Sequence, residues 1–269
     1  MVSVLKFLII LLEITNNFNP LGERHMTGKT FVILPETDST NNHAMNTIRE
    51  GEVEDGTAFF ALKQTQGKGQ RGKTWVSGTE QNVVLSVVWD MEGFNIHRPF
   101  ELSALVALAC RTVFQRYAVD GVLIKWPNDI YWNDRKAGGI LIENIIKSDK
   151  WDKAIIGIGM NINQTDFPKM ERKAVSLKQI TGKEHDPVTL AHELCKELDH
   201  WKGLYFQKGF KYLLENYNQF LFAKGKAMKF RKGNAIIQAR VDAVDMNGQL
   251  EVTHAYPDKW EYGTVDWYL

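Results

Sequence analysis

Cysteine is nearly absent: the chain of 269 residues carries two. Two thiols make neither a disulfide framework nor a paired-cysteine zinc site, so a reducing compartment, the cytoplasm, is the expected location. Proline is scarce, with seven residues, and no low-complexity tract is present, which excludes a disordered scaffold. Neither sign of charge dominates: Lys plus Arg is 33 and Asp plus Glu is 32, a net charge of +1. A protein built chiefly to hold nucleic acid shows a basic excess, so that class is disfavoured. The metalloprotease pattern H-E-x-x-H and the hydrolase elbow G-x-S-x-G are both missing. The apolar stretch Val4–Leu12 is interrupted by Lys6 and falls short of the roughly 20 residues that span a bilayer. No small-residue cleavage site follows it. For this leader, residues 1–27, a true start at Met26 is expected first, a packed helix or strand second, and a membrane tether last.

What is present is a hydrophobic content of 44%, enough for a sizeable core without staples. Thr30–Pro35 reads as a strand, and Asp38, Ser39 and Thr40 are N-cap residue types for a helix running to about Glu50. Thr57–Gln64 and Asn82–Trp89 read as strands either side of a glycine-rich loop, Gly67–Gly78. Pro99–Tyr117 is a long apolar-periodic helix with proline in its first turn. Short or buried strands are expected at Val122–Lys125, Ile140–Ile146 and Ala154–Ile162, and two helices at Pro187–Leu204 and Gly209–Phe222. After Lys224 the pattern becomes all-β: Ala227–Phe230, Ala235–Val244 and Gln249–His254, with Asn247-Gly248 a strong hairpin signal. The chain therefore divides into a mixed α/β unit, 28–223, and a small β unit, 224–269. The latter is expected to pack on its neighbour because small sheets are marginal alone. Cys110 and Cys195 fall in apolar helical patterns and read as core, and Trp260 and Trp267 as cross-strand pairs.

Three clusters carry chemistry. In Gln64–Lys73, three glycines are interleaved with Lys68, Arg71 and Lys73. Glycines let backbone N–H groups approach an anion, and the cations add charge; a solvated hairpin is the plain alternative. Gly67, Gly72, Lys73 and Thr74 also satisfy the P-loop pattern, but a P-loop opens straight into a helix, and none fits between Thr74 and Asn82. In Lys125–Glu143, a strand stops at Trp126-Pro127, Asn128 and Asp129 sit at its end, and Lys136 precedes the small residues Ala137-Gly138-Gly139. Space beside a lysine suits a ligand pocket, although the Asn133-Asp134 turn by itself is ordinary. In Gly157–Asn163, glycines at alternate positions leave one face of a strand bare, for a helix or a ligand ring to pack against.

Asp38-Ser39-Thr40-Asn41, Gln64–Trp75, KWPND, RKAGGILIE and GIGMNIN occur in the order seen in biotin–protein ligases, and the chain resembles that family from about Phe31 onward. KWPND followed closely by RK-x-x-GILIE is the most specific part. The resemblance implies an α+β catalytic domain with a mixed sheet flanked by helices, like class II aminoacyl-tRNA synthetases, then a small SH3-like domain. It also implies the reaction: ATP and biotin as substrates with Mg²⁺, biotinyl-5′-AMP as intermediate, and transfer to a lysine of a biotin carboxyl carrier protein or domain. Ser39, Thr40, Asn41 and Gln64 would then line the biotin head-group pocket, and Lys68, Gly69, Gln70, Gly139, Gly157 and Gly159 would contact biotin or its adenylate. Lys136, which would also bind biotin by holding its carboxylate or the phosphate, Lys68 and Arg71 would be catalytic. Arg71, Lys73, Asn128, Asp129 and Asn161 would face the nucleotide, with Asp129 meeting the metal. The usual loop, G-R-G-R-x-G-R, here reads G-K-G-Q-R-G-K, so Gln70 stands where a cation often helps retain the adenylate. Only about 30 residues precede Phe31, too few for the DNA-binding domain of some members. The expectation is a ligase without nucleic-acid or membrane partners and with a possible homodimer; a P-loop nucleotide hydrolase or a non-catalytic binding module are the rivals.

Overall fold

The computed structural model describes residues 26–51, 53–167 and 174–268. Most of the 1–27 leader lies outside them. Seven strands form a sheet in the order β1-β2-β3-β7-β6-β5-β4. These are β1 (Phe31–Leu34), β2 (Ala58–Ala61), β3 (Asn82–Asp90), β4 (Val122–Lys125), β5 (Asp129–Trp132), β6 (Arg135–Lys147) and β7 (Lys150–Asn161). Only β1 and β2 run parallel; the other neighbours are antiparallel, so the sheet is mixed.

The period-2 pleat sorts each strand into two faces. Val83, Leu85, Val87 and Trp89 of β3, with Ile156, Ile158 and Met160 of β7, join the main core. That face carries α2 (Pro99–Tyr117) and α4 (Pro187–Gln219), whose buried residues belong to the same cluster. Val88, Ile155 and Phe59 point the other way, into a smaller cluster with Ala44 of α1 (Thr40–Glu50). On this second face the pleat also places Val84 and Ser86 of β3, Gly157, Gly159 and Asn161 of β7, and, by register, Gly139, Leu141 and Glu143 of β6. The bare strand positions thus share one surface beside the start of α1.

Most expected elements are present. The two helices expected between Pro187 and Phe222 follow one another within α4, separated at Gly209, whose non-helical φ 77° and ψ 169° suit glycine alone. Strand β5 and the short α3 (Leu177–Thr181) were not anticipated. Beyond residue 224, β8 (Ala227–Lys232), β9 (Ala235–Val244), β10 (Leu250–Thr253), β11 (Pro257–Trp260) and β12 (Asp266–Trp267) form an antiparallel sheet in the order β11-β10-β9-β8-β12. Phe230 lies between Trp260 and Trp267 at its centre. The sheet packs on the larger unit around Trp126: Trp126 Nε1 donates to the Gly248 carbonyl (2.9 Å) and Trp267 Nε1 to the Trp126 carbonyl (3.1 Å).

Both cysteines are buried. Burial pushes the Cys195 thiol up to about 12, helped by nearby Asp199, and pushes Cys110 up as well. Thiolate is the reactive form. Ellman's reagent is therefore expected to find no fast-reacting thiol in the native protein and two after denaturation; a fast native reaction would contradict this core placement.

Candidate active site

One cavity of about 430 Å³, within the roughly 300–1,000 Å³ usual for ligand sites, lies on the α1 face of the sheet. Its walls are the start of α1, the glycine loop, β3, β6 and β7, and the Tyr262–Asp266 end of the small sheet. Every site residue expected from the sequence lines it, including Ser39, Lys68, Asn128 and Lys136.

The α1 wall is a closed hydrogen-bond network. Ser39 is the N-cap, and Ser39, Thr40 and Asn41 are buried. Gln64, held beside Thr37 by an extension of the β1–β2 pairing, accepts from the Thr40 N–H (2.9 Å). Ser86 Oγ lies 2.7 Å from Thr40 Oγ1 and 2.6 Å from Asn41 Oδ1. Asn41 Nδ2 donates to Glu143 Oε2 (2.7 Å). Gly157 must lack a side chain here, since a Cβ would stand 3.0 Å from Asn41 Cγ and closer still to its oxygen. At Gly159 a Cβ would be 2.6 Å from Trp75 Cζ2 and 2.8 Å from Nε1. The bare strand face therefore receives both a helix terminus and an indole ring.

The glycine loop is a hairpin, not the mouth of a helix. Gly69 N–H donates to the Lys73 carbonyl (2.6 Å) and Trp75 N–H to the Gly67 carbonyl (2.8 Å), around a tight turn at Gln70–Gly72 in which Arg71 is left-handed (φ 54°, ψ 43°). From Lys73 to Gln81 no helix forms and the next element is β3, which excludes the P-loop geometry. Lys68 Nζ lies 3.8 Å from Glu143 Oε1. Lys73 is exposed at the cavity's edge. Arg71 turns toward the small sheet: its guanidinium sits 3.0 Å from Asp266 Oδ1 and 5.0 Å from the Tyr262 ring centroid. Gln70, in the place of the usual cation, accepts from the Tyr262 hydroxyl. The loop tip is thus tied to the C-terminal sheet at two points.

On the far wall, Lys136 Nζ lies 2.7 Å from Asp129 Oδ1, and Lys125 Nζ lies 3.7 Å from the other oxygen. Two ammonium groups share one carboxylate, and Lys136 is the more exposed of the two at 24% against 3%. Asn161 and Asn128 line the cavity but direct amide hydrogens to the frame. Asn161 Nδ2 donates to the Lys136 and Val175 carbonyls (3.3 and 3.2 Å), and Asn128 Nδ2 to the Ile140 carbonyl (2.5 Å). Among the described residues no cluster of three His, Cys, Asp or Glu side chains could hold a metal, and no helix is long and apolar enough to cross a membrane.

Sequence reasoning gave no site role to Ser86, Glu143, Trp75, Tyr262 or Asp266. Trp75 stood inside a quoted motif, and its ring over Gly159 was foreshadowed by that strand's bare face. Its buried Nε1 has no hydrogen-bond partner among the described residues. Glu143 likewise closed the quoted RKAGGILIE motif, though with no role assigned; the other three reach the site through pairings 45 to 195 residues apart in sequence, for which local pattern holds no signal.

Residues 33–161 match the model of the biotin/lipoate A/B protein ligase family. The bifunctional ligase/repressor BirA of Escherichia coli is 30% identical over 243 residues, covering 89% of this chain and 73% of that protein. The biotin–[acetyl-CoA-carboxylase] ligase of Paracoccus denitrificans is 26% identical over 81% of this chain and 92% of its own length. The biotin protein ligase of Aquifex aeolicus, solved with biotin and ATP, superposes with a TM-score of 0.76 at 25% identity, covering 89% of this chain and 98% of that one. With residues 33–161 matched to the family model and a 30% identical relative covered over 73% of its length, the chain belongs to the biotin/lipoate A/B protein ligase family and stands among its biotin–protein ligases.

Proposed function

We propose that this chain joins biotin to a carrier-protein lysine in two steps. The biotin carboxylate attacks the α-phosphorus of ATP; a C(O)O–P bond forms, the bond to the β-phosphate breaks, and pyrophosphate leaves. The carrier's neutral amine then attacks the acyl carbon of biotinyl-5′-AMP, an amide forms, AMP leaves, and the amine proton passes to solvent. No enzyme nucleophile takes part, consistent with the missing serine and cysteine motifs.

The observation that carries this reading is the convergence on one cavity of the polar Ser39–Asn41 corner, the cationic glycine loop and Lys136. Two anions have to meet, and the obstacle is their repulsion; fixed cations and N–H donors around the reacting oxygens lower it. Lys136, with Asp129 as its counter-ion in the free protein, would turn to the carboxylate and α-phosphate. Lys68, Gly69 and Gln70 would cover the adenylate, and Arg71, Lys73, Asn128, Asp129 and Asn161 would bound the nucleotide. Ser39, Thr40, Asn41 and Gln64 would take the head group, against Gly139, Gly157 and Gly159.

The carboxylates on the cavity wall are Asp129 and Asp266, each already paired with a cation. Such a donor set suits Mg²⁺ that arrives on the triphosphate and keeps most of its waters, with Asp129 as the carboxylate it would meet; it does not suit a protein-caged ion. The same reading takes 28–223 as the catalytic domain of class II synthetase type and 224–269 as an SH3-like domain, supported by the two separate sheets. A biotin carboxyl carrier protein or domain is the acceptor, as the relatives' names suggest. A cytoplasmic location agrees with the two buried thiols, and action without nucleic acid with the net charge of +1. Homodimer formation follows from the resemblance alone.

Incubation with ATP, Mg²⁺ and biotin is expected to release pyrophosphate only when biotin is present, and to label a carrier lysine when a carrier domain is added. Phosphate release without biotin would support a hydrolase instead, and binding without turnover a non-catalytic module.

A further inference from the structure

We infer that Glu143 is a positioning residue that sets the hydrogen-bond polarity of the head-group pocket, through Asn41, Ser86 and Thr40. It thereby selects a head group that donates N–H, a cyclic urea, over one without a donor, such as the dithiolane of lipoate. The inference rests on the functional reading above and concerns how the same cavity tells apart the two acids in its family's name.

A carboxylate accepts hydrogen bonds and does not donate them. Asn41 Nδ2 faces Glu143 Oε2 at 2.7 Å and the Leu141 carbonyl at 3.5 Å, both acceptors. A flipped Asn41 would set its oxygen against the carboxylate, so the amide is held one way. Its Oδ1 then faces Ser86 Oγ at 2.6 Å, and an amide oxygen brings no hydrogen, so the single Ser86 proton goes to it. Ser86 therefore meets Thr40 Oγ1, 2.7 Å away, with lone pairs only, and the Thr40 proton goes to Ser86 in preference to Gln64 Oε1, the more distant acceptor at 3.4 Å; either way it is turned from the cavity. Ser86 is fully buried, so water does not compete for these bonds. Thr40 lines the cavity, and its remaining lone pairs make it an acceptor there. A urea N–H fits such an acceptor; a sulfur ring leaves it unpaired, at the cost of a buried unsatisfied group. Without Glu143 the amide can turn over, the Ser86 proton can return to Thr40, and Thr40 then presents a hydrogen to the ligand's own N–H.

Glu143 also lies 3.8 Å from Lys68, so the variants have to separate charge from polarity. Glu143→Leu removes both; Glu143→Gln removes the charge but keeps an oxygen that accepts from Asn41; Ser86→Ala cuts the relay and leaves Glu143 alone. Steady-state pyrophosphate release on the full chain, with biotin and ATP varied in turn, is the readout, alongside calorimetric biotin binding and thermal melts. Glu143→Leu and Ser86→Ala are expected to raise the biotin KM about 10- to 100-fold while the ATP KM and kcat move less than about 3-fold. Glu143→Gln should recover the biotin KM to within about 3-fold. The Leu/Ala double variant should be no worse than either single one, because both break one chain. With lipoate as a competitor, the ratio of its inhibition constant to the biotin KM should narrow about 10- to 100-fold in Glu143→Leu and Ser86→Ala, and an unchanged ratio would overturn the selection.

If Glu143→Gln is as impaired as Glu143→Leu, the Lys68 pairing is what matters and the relay is overturned. Multiplying effects in the double variant, or an unchanged biotin KM in Ser86→Ala, overturn it too. If the unmodified protein neither binds biotin nor turns over with it, the functional reading itself falls, and the relay with it.

Discussion

Lys136→Ala is expected to lower biotin-dependent pyrophosphate release by about 100- to 1,000-fold, the usual consequence of removing one preorganised charge from a site where anions react. The loss should appear in kcat more than in the biotin KM. On the proposed reading, head-group contacts would be made on the opposite wall by Ser39–Asn41, whereas Lys136 would act where the carboxylate meets the phosphate. The variant should remain folded. Its main chain, not its side chain, accepts from Val175 N–H (2.9 Å) and Asn161 Nδ2, and Asp129 keeps Lys125 as a counter-ion. A thermal melt checks that point. A sharper check supplies chemically made biotinyl-5′-AMP. The acyl–phosphate bond is then already present and the two anions no longer have to be brought together, so transfer to a carrier lysine should recover a large part of its rate. Near-normal pyrophosphate release by Lys136→Ala would remove the lysine from the chemistry. Failure of both half-reactions in a folded variant would place its role in binding the adenylate instead.

Much of the site was legible because its parts are short motifs whose residue types have local physical meaning. Alternating glycines at 157 and 159 mark a strand face that something must approach closely, and Asn41 and Trp75 approach it. The helix needed for a P-loop was already missing from the pattern after Thr74, and the loop closes instead as a hairpin. The continuous apolar run of β3, buried on both faces, and the apolar period of α2 placed those elements to within a residue. Four-residue β5 was hidden because Asp129–Trp132 lies between a proline and a turn, too short for its pattern to outweigh its neighbours. β11 and β12 were lost for the same reason. What no local pattern could supply is the partner across the fold. Arg71 reads as an adenylate contact by its motif, yet in the free protein it is paired with Asp266, and Gln70 is held by Tyr262. Where the loop departs from the usual sequence, the C-terminal sheet now supplies its anchor.

The glycines of β7 carry the second large expected effect. Neither Gly157 nor Gly159 has a positive φ, so alanine is conformationally acceptable at both and any penalty is one of space. The two sites differ in what must yield. Asn41 is bonded to Ser86 and Glu143 at once, so a methyl group at 157 pushes on a side chain that cannot move without breaking buried hydrogen bonds. The Trp75 indole has no hydrogen-bond partner among the described residues, so a methyl group at 159 can drive the ring into the cavity. Overpacking costs about 1–3 kcal/mol, and a domain of this size loses about 2–4 °C of melting temperature per kcal/mol. Gly157→Ala is therefore expected to melt measurably lower than Gly159→Ala. Both should lose biotin affinity at least about 100-fold by calorimetry, a change of about 2.7 kcal/mol, because each fills or distorts the floor on which the head group would rest. Gly51→Ala, at the end of α1 with extended backbone and nothing within 4 Å of the added carbon, should change neither quantity. Normal biotin binding by Gly159→Ala would mean that the bare strand serves only to seat Trp75; loss in both variants with the folds retained would make the strand itself the floor of the vitamin site.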